Sequence, residues 1–422
     1  MSPAIEHPPR CLLLATLDTK GAEAAYVREQ LIAAGIEVTL IDCGCLGEWV
    51  GAADVSRESV MAAGGGQLAE LAARGDRGAA IRTAAAGAAK LVREAYDRGE
   101  ADGVLALGGS AGTTIGTSAM RALPIGVPKL MVSTLASGDC RPYVGDKDIL
   151  MHNSVVDIAG VNRISRAVLG NAAAAMAGML RGRAAHLDDE PDSPRDRPLI
   201  AATMFGVTTP CVQHARALLE AAGYEVLVFH ATGNGGQAME TLIDDGLIAG
   251  VLDITTTELA DELVGGVLSA GPDRLTAAAR RGVPQVVSVG AVDMVNFGPR
   301  HSVPDRFADR TLYQHNDTVT LMRTTPAECA AIGREIAAKV GAACERAAIL
   351  LPLNGVSAID KEGQPFNDES ARRELFAAIR SELESRGATE LVELPWHIND
   401  PEFAEAAANK LLELLGKPST MK

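Results

Sequence analysis

Short apolar runs recur along the chain, each followed by a small or polar loop and then by an amphipathic or alanine-rich stretch. Cys11–Leu17 (CLLLATL) predicts a buried strand, Asp18-Thr19-Lys20-Gly21 a loop, and the residues to about Ala34 a helix. Ile36–Asp42 (IEVTLID) predicts a second strand and Ala79–Arg98 a helix; ADGVLAL and Lys129–Leu135 (KLMVSTL) predict two more strands. The theme restarts at Leu199–Phe205, with a helix to about Ala222 and strands in YEVLVFH, GVLDI, QVVSVG (Gln285–Gly290), RAAILLPL and ELVELP. Strands that are apolar throughout, rather than alternating, belong in a parallel sheet covered on both faces. The expected class is therefore α/β, with two Rossmann-like domains whose mainly parallel sheets are covered by helices.

Two stretches interrupt the rhythm. EWVGAADVSRESVMAAGGGQ reads as a Gly-rich insertion beside a site. RGRAAHLDDEPDSPRDRP is charged and carries Pro191, Pro194 and Pro198. It predicts an N-terminal domain over 1–182, a linker over 183–198 and a C-terminal domain over 199–422.

Composition narrows the classes. At 47% apolar and 22% charged residues the chain reads as a soluble globular protein. No apolar run approaches the roughly 20 residues of a membrane span, and the opening MSPAIEHPPR has no apolar core of a signal peptide, so a cytoplasmic protein without a membrane partner is expected. A net charge of −15 and 3% aromatics argue against a nucleic-acid partner, which needs basic side chains and stacking platforms. The seven cysteines are odd in number and scattered; Cys43-Gly44-Cys45 lacks metal-site spacing, so small buried hydrophobes are expected and no metal is assigned. The alanine- and glycine-rich helices can pack closely between subunits, and a homo-oligomer is expected.

Ligands of open α/β sheets bind outside the carboxyl ends of the strands. In the first half this edge carries Asp18, Thr19 and Lys20, the loop LALGGSAGTT, and Ser137 with Asp139. Gly108, Gly109 and Gly112 let backbone approach a phosphate, a following helix would aim free N–H groups at it, and Ser110, Thr113 and Thr114 add hydroxyls. The loop has neither GxxxxGK[ST] nor GxGxxG spacing, so a plain tight turn stays open beside the phosphate cradle. Lys20 would supply the missing cation, leaving Asp18 and Asp139 for ribose hydroxyls or Mg²⁺.

In the second half FHATGNGG places Gly233, Asn234, Gly235 and Gly236 after a strand, a second candidate cofactor loop. His230, Glu258, Asp293 and His315 lie in four polar loops at successive strand ends and form a candidate acid–base or metal constellation. Asx-turns and helix caps are the plain alternative for each. Arg163 and Arg166, beside Asn162, read either as phosphate ligands or as salt-bridge partners. HExxH is absent.

The strings LDTKG, LALGGSAGTT, MVSTLASGD, SVVDIAGVNRIS, FHATGNGGQAME, LDITTTEL, SVGAVDMVNFG and HNDTVTLMRTT resemble, in order, the ATP-binding domain family of the tomato mosaic virus resistance protein, from about residue 10 to the end. The resemblance implies two Rossmann-like subdomains and ATP as ligand, with Gly108–Thr114 matching the family's glycine loop. The expectation is an ATP-binding protein, with Mg²⁺ as companion ion and phosphoryl or nucleotide-coupled chemistry. The alternative is a metabolic enzyme acting on a small carbohydrate acid or carbonyl compound in the interdomain cleft. A ligand-closed regulatory module is the third reading.

Overall fold

The computed structural model describes residues 7–45, 51–187, 197–342, 346–386 and 389–416. They divide into two compact units, one up to residue 193 and one beyond it. The first holds a five-stranded parallel sheet in the order β2-β1-β3-β4-β5, made of β1 (Arg10–Ala15), β2 (Glu37–Asp42), β3 (Gly103–Gly108), β4 (Lys129–Ser133) and β5 (Leu150–Asn153). Strands β1 and β3 are apolar on both faces because each face meets helices. Leu12, Leu14, Val104 and Ala106 pack with the helices Arg77–Asp97 and Ser110–Arg121. Leu13, Leu105, Leu107 and Leu130 point the other way, into the helices Leu17–Ala33 and Arg163–Leu187.

The abundance of small residues has a direct cause. A methyl group on Gly116 would lie 2.6 Å from the Ala106 Cβ, so the helix rests its backbone on β3. In the Gly-rich insertion, the helix Arg57–Ala63 is capped by Ser56, whose hydroxyl accepts from the Ser59 amide. It packs against Arg77–Asp97 so closely that a methyl on Gly87 would meet the Val60 carbonyl at 1.8 Å. Residues 48–50 of that stretch lie outside the described residues.

The second unit repeats the plan with six parallel strands in the order β14-β13-β9-β8-β6-β7. They are β6 (Leu199–Met204), β7 (Glu225–His230), β8 (Gly250–Thr255), β9 (Gln285–Gly290), β13 (Ala347–Pro352) and β14 (Glu390–Leu394). Between β9 and β13 the chain adds a three-stranded antiparallel sheet of β10 (Met294–Phe297), β11 (Leu312–Asn316) and β12 (Val319–Arg323), with β12 central. The expected fold class is borne out. The short β5 and the antiparallel sheet were not in the apolar pattern.

Three boundaries move. The helix after β1 begins at Leu17, so Asp18–Gly21 forms its first turn, not a loop, with Lys20 at a non-helical φ of −129°. The strand read as Lys129–Leu135 ends at Ser133. The helix Arg163–Leu187 runs through the first residues of the expected linker, whose residues 188–196 lie outside the described residues. Among the described residues no helix is long and apolar enough to cross a membrane.

Candidate functional site

In the first unit the strand order reverses between β1 and β3, which makes the crevice between their following loops the topological switch point. The sequence places Asp18–Gly21 on one side and Gly108–Thr114 on the other. Gly108 and Gly112 are demanded by the turn itself: a methyl on Gly108 would lie 2.7 Å from the Gly112 Cα, and one on Gly112 would lie 3.2 Å from the Leu107 carbonyl. Gly109 is different, since its nearest neighbour would be the Thr134 Oγ1 at 3.7 Å and its φ is an ordinary −81°. It holds the capping position of the helix Ser110–Arg121 and has no side chain to offer. The amides of Ser110, Ala111 and Gly112 therefore have no intrahelical acceptor and no cap, and they sit at the positive end of the helix dipole.

The surrounding polar groups are partly committed. Thr113 is buried and its Oγ1 lies 2.7 Å from the Ser133 Oγ, and the Thr114 hydroxyl donates to the Ser110 carbonyl at 3.0 Å; Ser110 itself is exposed. Ser133 also accepts from the Leu135 amide at 2.9 Å, so this serine, not Ser137, ties β4 to the glycine loop. Thr19 shares a 3.0 Å hydrogen bond with Thr16. Lys20 donates from Nζ to the Ile158 carbonyl. Asp139 is exposed and bonded to Arg141, which holds its carboxyl below the ordinary range. Asn162 caps the helix Arg163–Leu187, accepting from the Ile164 and Ser165 amides, while Arg163 and Arg166 are exposed.

One carboxylate at this edge escaped the sequence reading. Asp42, the last residue of β2, accepts from the Leu17 and Gly44 amides at 3.1 and 2.8 Å, and burial raises its pKa. Asp18 accepts from the Cys45 amide at 3.2 Å, and a methyl on Gly44 would touch both carboxyl groups at 3.0 Å. Asp42 reads as the polar end of a strand until the fold sets it beside the first turn of the next helix.

The second unit has a comparable helix N-terminus, and it is filled from within. Gly233, at φ +86°, and Gly236 donate their amides to Glu258 Oε1 at 2.7 and 3.1 Å. A methyl on Gly235 would meet the His230 carbonyl at 1.9 Å and one on Gly233 the Ser269 carbonyl at 2.8 Å, while Gly236 abuts Glu258 itself, so the three glycines of GNGG serve close packing. Asn234 is exposed in the first helical turn. The other oxygen of Glu258 accepts from Arg274 Nε at 2.6 Å. Arg274, fully buried, also donates to both oxygens of Asp253, at 2.6 and 2.8 Å, and to Glu240 at 3.3 Å. Burial raises the Glu258 pKa, against the pull of Arg274.

Asp293 sits in a separate buried network. Its Oδ2 accepts from Ser357 Oγ at 2.7 Å, and burial with the nearby Asp360 pushes its carboxyl up while Arg323 opposes. Asp360 in turn accepts from Arg372 at 2.7 Å. The four candidate acid–base residues thus divide: Glu258 and Asp293 are committed to separate buried networks, His230 is exposed at the end of β7, and His315 is exposed on β11. Among the described residues no group of three or more His, Cys, Asp and Glu side chains is placed to hold a metal ion.

His315 borders a cavity of about 350 Å³ at the carboxyl edge of this sheet. Phe205, Val207, Leu268 and Leu321 form apolar walls, and Thr232 and Asn316 add polar groups.

Models of the N-terminal and C-terminal domains of the uncharacterised protein family UPF0261 match residues 9–185 and 197–415. A UPF0261 protein of Clostridium tetani is 49% identical over 408 residues, covering 97% of this chain and 99% of that protein. The ToMV resistance protein Tm-1(GCR237) of Solanum lycopersicum is 45% identical over 341 residues, covering 81% of this chain and 45% of the tomato protein. Among solved structures, a Streptomyces glycosyltransferase complexed with thymidine diphosphate aligns at 14% identity and a TM-score of 0.17, over 97% of this chain and 96% of that one. A likeness that slight carries no argument.

Proposed function

Given that the chain belongs to the UPF0261 family through both of its domains, we propose that its first unit is an ATP-binding module whose phosphate site is the open helix N-terminus at Gly109–Gly112. The observation that supports this most is the contrast between two helix ends: Glu258 fills the one at Gly233–Gly236, whereas the one after β3 lies at the switch point with an uncapped glycine. The residues present fit a nucleotide phosphate. The amides of Ser110, Ala111 and Gly112 would donate to its oxygens, and the exposed Ser110 hydroxyl would add one more donor. Lys20 keeps further N–H groups beyond the one given to Ile158. Asp18, in the facing first turn, would meet a ribose hydroxyl or Mg²⁺ carried by the phosphates.

Gly109→Asp separates binding from folding. Aspartate is a good N-cap, so the variant should be at least as stable as the parent. Its charge would stand where the phosphate belongs. Isothermal titration with ATP and Mg²⁺ should show binding by the parent and an affinity at least about tenfold weaker in the variant. No heat from the parent, or equal affinity in the folded variant, would end this reading.

A further inference from the structure

We infer that the second unit carries its own small-molecule site, the cavity beside His315, and that it takes a neutral ring compound bearing a carbonyl or amide group. The site is independent of ATP binding in the first unit.

Three observations carry this. First, β11 pairs with β12 through Gln314↔Thr320 and Asn316↔Val319, which leaves His315 as the extra residue of a β-bulge. Bulges concentrate beside binding sites because they re-aim a side chain. The His315 ring borders the cavity and has no hydrogen-bond partner among the described residues.

Second, Gly206 lines the same cavity without a conformational or packing reason to be glycine. Its φ is not positive, and an added methyl would meet nothing within 4 Å. The missing side chain keeps space open.

Third, the lining specifies chemistry. Among the described residues no Lys, Arg, Asp or Glu borders the cavity, so an ionised ligand would lose its hydration without a counter-charge. At the neighbouring helix N-terminus Glu258 already accepts from the Gly233 and Gly236 amides, which sets a carboxylate where a phosphate would have to sit. Asn316 accepts from the Thr318 amide and hydroxyl at 2.8 and 2.9 Å, which orients its side chain and leaves Nδ2 as the donor. A carbonyl oxygen would accept from that Nδ2, an N–H or O–H on the same ligand would meet the imidazole, and the ring would lie against Phe205 and Leu321. The volume of about 350 Å³ admits one or two rings.

Benzamide, with benzoate as its charged counterpart, tests the site by NMR. The His315 Hε1 signal is assigned by its loss in His315→Gln. Benzamide should shift it saturably in the parent protein. Benzoate should bind at least about tenfold more weakly, and Gly206→Leu, verified as folded by circular dichroism, should weaken benzamide by a similar factor. The inference is overturned by the absence of a saturable shift with benzamide, by equal affinity for benzoate, or by unchanged affinity in Gly206→Leu. ATP takes no part in the measurement, so its outcome is separate from the fate of the first-unit reading.

Discussion

A methyl group on Gly236 would lie 2.2 Å from Glu258 Oε2 and 2.7 Å from Arg274 Nε, so glycine and ion pair share one space. Gly236→Ala should therefore destabilise the protein by about 1–3 kcal/mol, the usual range for overpacking a filled interior. Urea denaturation checks it. Asn234→Ala, exposed two residues earlier in the same turn, should change stability by less than about 0.5 kcal/mol.

Among the described residues Arg274 is the one cation bonded to Asp253, Glu258 and Glu240. Arg274→Met removes the charge, keeps much of the volume, and leaves two fully buried carboxylates unpaired. The expected loss is about 3–5 kcal/mol. A loss below about 1 kcal/mol in the same denaturation experiment would show that water or protonation compensates the carboxylates.

Asp261 predicts a pH dependence. Burial pushes its carboxyl up to about 7, although Asn296 donates to it from its backbone amide at 2.6 Å and from Nδ2 at 2.7 Å. In the unfolded chain an aspartate titrates near ~3.9. Between those two values the folded state holds the extra proton, so stability falls as the pH rises from about 4 through about 7 and stays low above. The effect is on the order of a few kcal/mol. Denaturation midpoints at pH 5 and pH 8 should differ in that direction, and Asp261→Asn should flatten the difference.

The cysteines predict a reactivity order. Burial pushes the thiols of Cys11 and Cys211 up to about 12 and that of Cys45 up to about 11, and it raises Cys43 and Cys329 as well. Cys140 is the partly exposed one among the described cysteines. A thiol reagent should modify Cys140 in the native protein and the other five described only on unfolding. Mass mapping after brief iodoacetamide treatment reads this directly, and Cys344, outside the described residues, is scored separately.

The two sheets were legible because strands buried on both faces must be apolar at every position, as Val104–Leu107 and Val286–Val287 are. The same logic hid β11, where Tyr313, Gln314, His315 and Asn316 are all exposed and carry no apolar signal. The glycine loop after β3 was legible as a close turn beside a helix start. What separated it from GNGG was not local: Glu258 lies 22 residues from Gly236, and Arg274 a further 16 beyond Glu258. Pairing of that kind has no periodicity, so a carboxylate that looked free for catalysis is the lid on a helix end. Asp253 was passed over for the same reason, since it reads as one polar residue in an apolar strand until Arg274 folds onto it.

Glu258 makes the second unit carry its own counterion. A helix end that is already neutralised takes no interest in the anions of the surrounding solution, while the end at Ser110–Gly112 has none of its own. Sulfate or inorganic phosphate in a crystallisation liquor should therefore collect beside Gly109 and leave Gly233–Gly236 bare, so that the solvent itself distinguishes two helix ends that glycine content alone made look alike.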